Sequence, residues 1–207
     1  MPLVTYDATT SMRAARSRYF EANAFGDNGG YDAAWVNFKL GPLPLSIPNT
    51  ASRARAVPFH DLHHVITGYD TDMVGEFEIS AWEVGAGCRD YWAAWFINLG
   101  GVAGGLFAAP RRTFRAFVRG RHSVTLYGQE LDALLDSQLG ELRAQCRLSP
   151  ASADEPVEAP RLGDVLRFAL AVAAGLLSGL AMLVLGTLAT PFLLCLRALQ
   201  QDSAKTS

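Results

Sequence analysis

The chain has 207 residues, 50% of them hydrophobic and 18% charged, and its 18 basic and 20 acidic residues leave a net charge of −2. That balance excludes a nucleic-acid binder working through overall positive charge, and the supply of aliphatic and aromatic residues excludes a disordered chain. Three widely spaced cysteines, Cys88, Cys146 and Cys195, form neither a disulfide framework nor a zinc ribbon and read as free thiols in a reducing compartment.

The first ten residues lack a basic stretch followed by an apolar core, so no signal peptide is expected and the bulk of the chain belongs in the cytoplasm. Thr10 to Phe25 reads as a helix, with Met12, Ala15, Tyr19 and Ala22 at helical spacing. Gly26, Asn28, Gly29 and Gly30 end it, and the prolines at 42, 44 and 48 make Leu40 to Asn49 a loop. Pro58 suits the first turn of a second helix that runs to about Thr67 and stops at Gly68. Asp70, Thr71 and Asp72 offer caps for a third helix from Met73 to about Ala86. No stretch alternates convincingly with period two, so the fold class is all-α.

Tyr91 to Pro110 is a run of 20 uncharged residues, long enough to cross a membrane. The pairs Gly100-Gly101 and Gly104-Gly105 favour a buried helix followed by a turn over one continuous helix, with a membrane-inserted or lipid-lining segment as the alternative. Arg111, Arg112, Arg115, Arg119 and Arg121 then make a basic helix over 111–121, either a solvated face or a surface for anionic headgroups. Leu131 to Arg147 reads as the last helix of the domain, and the Pro, Ala, Ser and acidic residues that follow read as a linker. From Phe168 to Leu196 there are 29 residues without a charge. As a helix they would reach roughly 43 Å, so a membrane anchor there must tilt, kink near Pro191 or form a hairpin. Gly175 and Gly179 make a GxxxG pair suited to close helix contact. The expected layout is a compact helical domain over 1–150, a linker over 151–161, a hydrophobic transmembrane helix or hairpin over 162–200 and a polar tail over 201–207.

Three of the four histidines fall within five residues: His60, His63 and His64. On a helix His60 and His64 project from one face, and imidazoles at that spacing bind one metal ion. Asp61 offers a third ligand, and Glu76, on the returning helix, a fourth. Asp72 lies one turn before Glu76 and Glu83 seven residues after it. The mixed nitrogen and oxygen set suits zinc first, with iron, manganese or cobalt as alternatives, and the lack of cysteine ligands speaks against a closed structural zinc site. His63 reads as a supporting or surface histidine.

The segment from His60 to Asp72, with Gly75-Glu76 after it, resembles the signature of the coenzyme Q (ubiquinone) biosynthesis protein 4 family: HDxxH, eleven residues, then Glu with Gly directly before it. Glu83 is similar to that family's second glutamate on the same helix, and Leu139 to Arg143 to its terminal helix. The resemblance covers roughly residues 45 to 150 and is strongest over 58 to 83. It implies a helical fold with a divalent metal held by His60, Asp61, His64 and Glu76. It also implies a role in ubiquinone biosynthesis, as a lyase that removes the ring carboxylate of a polyprenylated hydroxybenzoate, with oxidation at that carbon. Glu83 or Asp72 would then be the catalytic proton carrier. A lipid-tailed substrate fits a membrane partner reached through 168–196 and 111–121, at the cytoplasmic face of the inner membrane in a bacterium. The alternative is a non-catalytic prenyl-lipid-binding scaffold of a quinone-biosynthesis complex. A homodimer is plausible on the same grounds, and no nucleic acid is expected.

Overall fold

Ser11 opens α1 (Met12–Asn23) by accepting the Ala14 N–H on its hydroxyl, and Ala24 in the left-handed region ends it. The computed structural model describes residues 6–40, 43–148 and 159–205, and is helical over most of them, as the hydrophobic periodicity implies. The exception among the described residues is an antiparallel hairpin of β1 (Trp35–Leu40) and β2 (Leu43–Pro48). It occupies most of the stretch expected to be a loop. Prolines break central strands, but in a two-stranded hairpin each strand has a free edge where a missing N–H costs nothing.

The second helix, α2 (Ala51–Thr67), starts earlier than expected, capped by Thr50, so Pro58 lies inside it and not in its first turn. Gly68, with φ of 78°, supplies its left-handed stop. The third, α3 (Met73–Ala86), matches the expected bounds and is capped by Asp72. The glycine-rich run forms one continuous helix, α4 (Trp92–Ala108), and α5 (Pro110–Arg121) follows directly. The glycines of α4 do not break it because they serve packing: a methyl group at Gly101 would strike Ser80, and one at Gly105 would strike Thr113 and Phe77. The expected last helix divides into α6 (Leu131–Asp136) and α7 (Leu139–Gln145). The break falls where Ser137 accepts from the Met12 N–H and the Leu139 N–H donates to Thr10, which ties α1 to this end of the domain.

The core centres on α3, whose Ile79 and Trp82 are fully buried with Leu62 and Ile66 of α2 and Tyr127. α3 and α5 approach backbone to backbone through two glycines. A methyl group at Gly85 would meet the Phe117 carbonyl, and one at Gly120 the Trp82 carbonyl. Backbone cannot give way as a flexible side chain can. Gly120→Ala is therefore expected to cost about 3 kcal/mol, read as a lower urea midpoint with an unchanged slope.

The apolar C-terminal segment is one helix, α8 (Leu162–Lys205), not a hairpin, and Pro191 lies inside it. The helix also includes residues expected to be a polar tail. Most of the expected linker, 151–158, lies outside the described residues. Leu162–Leu185 is long and apolar enough to cross a membrane. Its first turns nevertheless belong to the domain. Phe168 packs on Phe114 and Phe117 with ring centroids 5.0 and 5.3 Å apart, and the Ser178 hydroxyl donates to the Phe96 carbonyl at 2.7 Å. Gly175 sits against the Leu99 carbonyl, so the first glycine of the GxxxG pair makes its contact within the chain.

Candidate metal centre

The C-terminal end of α2 carries the site, and two arginines hold that end. Arg119 donates to the Thr67 carbonyl at 3.0 Å, and Arg143 donates to the Ile66 and Val65 carbonyls at 3.1 and 3.3 Å. These are the last carbonyls of a helix, which lack partners within it and favour positive charge. Arg112 pairs with buried Glu78 at 2.6 Å. Part of the basic face of α5 is thus committed to the domain itself.

His60 and His64 stand one turn apart with their Nε2 atoms 3.3 Å from each other. Each has its other nitrogen engaged. His64 Nδ1 donates to the Tyr69 carbonyl at 3.0 Å, and His60 Nδ1 donates to Glu83 Oε1 at 3.0 Å. These bonds leave both Nε2 lone pairs aimed at one place. The short loop from Gly68 returns the chain so that Glu76 faces them, its carboxylate oxygens 3.5 Å from each Nε2. Two local features set that turn. Asp72 Oδ1 accepts the Gly75 N–H at 2.7 Å, and Gly75 lies so close to the Asp70 carbonyl that a side chain there would collide. The glycine before Glu76 is thereby explained by packing.

Two imidazole nitrogens 3.3 Å apart need either a shared proton or a cation between them. Ligand atoms bound at about 2.0–2.1 Å to a tetrahedral ion stand roughly 3.3–3.4 Å from one another; the two Nε2 atoms have that spacing, and each has a Glu76 oxygen 3.5 Å away. The donor set fits a divalent metal. The His64 side chain is 1% exposed, that of His60 23% and that of Glu76 45%, so the site is closed at its base and open on one side.

The same demand for positive charge appears in the ionisation of the groups. Burial alone would lower the His60 pKa, but Glu83 and Glu76 outweigh it and hold the imidazole well above its ordinary value. Burial opposes ionisation of Glu76, but hydrogen bonds and charge from His60 and His64 hold its carboxyl below the usual carboxylate range.

Asp61 stands apart from these three. Its Oδ2 accepts the Tyr31 hydroxyl at 2.6 Å, because the next residue on a helix points about 100° away. Asp72 is occupied as the cap of α3, which suits a positioning role more than proton transfer. Glu83 is completely buried beneath the site. One of its oxygens accepts from His60 at 3.0 Å and from His63 at 2.7 Å. The other accepts from the Tyr127 hydroxyl at 2.8 Å and from the Asn98 amide. His63 is a buried supporting residue, not a surface one. Its Nε2 accepts the Leu126 N–H at 3.0 Å, and burial lowers its pKa, so it stays neutral and donates from Nδ1 to Glu83.

Sequence reasoning missed Asn98, Tyr127 and Tyr19. Asn98 carried a signal, as the one amide side chain in the uncharged run from Tyr91 to Pro110. Tyr19 stacks on His64 with centroids 5.8 Å apart, and Phe25, 40% exposed, packs on Tyr19 and carries this aromatic wall to the surface. The chain matches no protein-family model, no curated protein and no solved structure.

Proposed function

We propose that the chain is a membrane-associated, metal-dependent lyase of ubiquinone biosynthesis that removes the ring carboxylate of a polyprenylated hydroxybenzoate. The observation that carries the metal-dependent part is the trio of His60 Nε2, His64 Nε2 and the Glu76 carboxylate, spaced for one ion and open on one side. Zinc suits this donor set first, with iron, manganese or cobalt as alternatives. When bound, such an ion supplies a Lewis acid for a carboxylate and for the negative charge that its loss leaves on the ring. The substrate class rests on the resemblance of the His60 to Glu76 segment.

The chain's own residues do the rest. Glu83 and the Tyr69 carbonyl fix the two imidazoles, so the ligands need no reorganisation when substrate arrives. Tyr19 stacks on His64, and Phe25 meets Tyr19 edge to face and reaches the surface, so aromatic side chains flank the buried imidazole and suit an aromatic headgroup nearby. The exposed leucines of α8 suit a partner that lives in a bilayer, at the cytoplasmic face of the inner membrane in a bacterium.

The test uses the full chain in proteoliposomes and a short-tailed prenyl-hydroxybenzoate. The expected result is one metal ion per chain by elemental analysis and release of carbon dioxide. Chelation should abolish that release, and one metal of the set should restore it. Bound metal with no carbon dioxide release would replace the lyase with a prenyl-lipid-binding scaffold. A chain that takes up no metal would overturn the site itself.

A further inference from the structure

We propose that α4 and the first half of α8 form a platform that docks into one leaflet of an anionic lipid bilayer. The chain enters the membrane without crossing it, and the polar segment after Leu196 stays on the same side as the metal centre. The inference rests on the membrane association in the reading above and is independent of the chemistry.

Length decides first. The uncharged run from Phe168 to Leu196 looks ample for a crossing, but the structure commits its first half to the domain. Phe168 is held by Phe114 and Phe117, Gly175 by Leu99, Ser178 by Phe96, and Met182 lies on Gly100. Only Leu183 to Leu196 remains, 14 residues before Arg197. At 1.5 Å per residue that is roughly 21 Å, short of a ~30 Å hydrocarbon core that needs about 20 residues.

Charge decides second. The two helices run antiparallel, so the Ser178 end of the packed stretch lies beside the start of α4. Driving that stretch through the bilayer would carry the start of α4 into the hydrocarbon. Arg89 and Asp90 directly precede that start, and Asp90 pairs with Arg55 at 2.6 Å, the two side chains being 65% and 56% exposed. Charges at that depth are strongly disfavoured.

Lying in the membrane plane removes both conflicts. The outward faces are apolar, with Trp92, Phe107, Leu170 and Leu177 all more than two-thirds exposed. Exposed arginines stand at both ends of the pair, Arg89 at one and Arg111 and Arg167 at the other, level with anionic headgroups. Trp92 sits where an interfacial indole is favoured. A second copy is the poorer occupant, because an antiparallel copy would set arginine ends against arginine ends.

The experiment adds the full chain to preformed phosphatidylcholine–phosphatidylglycerol liposomes. In a Cys195→Ala background the remaining cysteines, Cys88 and Cys146, are buried. Ser17→Cys reports the domain and Ser203→Cys the segment after the apolar run, each probed with a membrane-impermeant maleimide on floated vesicles. Both are expected to label fully before detergent is added. Labelling of Ser203→Cys only after detergent would overturn the inference in favour of a crossing. Phe107→Glu, on an exposed position of α4, is expected to weaken flotation about tenfold with metal content unchanged. Flotation indifferent to that change would remove α4 from the platform. A chain that does not float at all overturns the inference and the membrane part of the function, and leaves the metal and carbon dioxide measurements to stand by themselves.

Discussion

Glu76→Gln is expected to strip the metal from the chain and leave the fold intact. Glu76 is the candidate ligand that comes from α3, and its side chain is 45% exposed. Losing its half-exposed pairing with His60 and His64 should cost about 1 kcal/mol or less. The loss of charge should be decisive for the ion, because two neutral imidazoles and an amide are a poor set for a divalent cation. Elemental analysis should fall from about one ion per chain to close to none, and carbon dioxide release should fall with it. His64→Ala should give the same loss of metal, together with a stability penalty from the space opened beside Tyr19. The pair of variants separates ligation from folding. Full metal content in Glu76→Gln would sink the centre as drawn.

Glu83→Ala should produce the largest stability loss in the molecule. Four donors converge on this carboxylate, from α2, from α4 and from the segment at Tyr127, and all would be left in a buried cavity. Burial resists its ionisation, but His60 and His63 outweigh that and hold its pKa below the carboxylate range. Removing one partner of such a buried charged cluster costs about 4 kcal/mol, a fall of roughly 10 °C in Tm for a chain of this length. Glu83→Gln keeps the volume and one acceptor oxygen but turns an amide N–H₂ toward donors. Its Tm loss should be smaller, and its metal affinity should drop roughly 10- to 100-fold, because His60 loses the partner that fixes its tautomer. Differential scanning calorimetry and metal titration read the two effects. Unchanged affinity in a folded Glu83→Gln chain would reduce the residue to core packing.

Much of this was legible in the sequence because helices announce themselves locally. The cap at Asp72 and the stop at Gly68 need only neighbours along the chain, whereas the cap at Thr50 was passed over because Pro58 drew the helix start to itself. The i, i+4 histidines are likewise a local pattern. The hairpin was hidden by its prolines, although Val36, Phe38 and Leu40 alternate and pair in register with Ile47, Leu45 and Leu43. The glycines of α4 were misread for a related reason. A glycine that ends a helix and one that admits a neighbouring helix look alike until the neighbour is in place. That Asp61 turns away from His60 follows from the 100° step of a helix, but its partner Tyr31, thirty residues away, was not readable. The hub at Glu83 draws Asn98 and Tyr127 from segments that no spacing rule connects.

The packing of Phe168, Gly175 and Ser178 against the domain also bears on how the protein is handled. Cleavage between Leu148 and Arg161 cuts the peptide and not the assembly, because α8 remains seated on α4 and α5. A recombinant chain ending before Leu162 is a damaged domain instead of a soluble one. It would bare Phe114, Phe117 and the α4 surface that α8 covers, and it would aggregate for reasons unrelated to the metal centre.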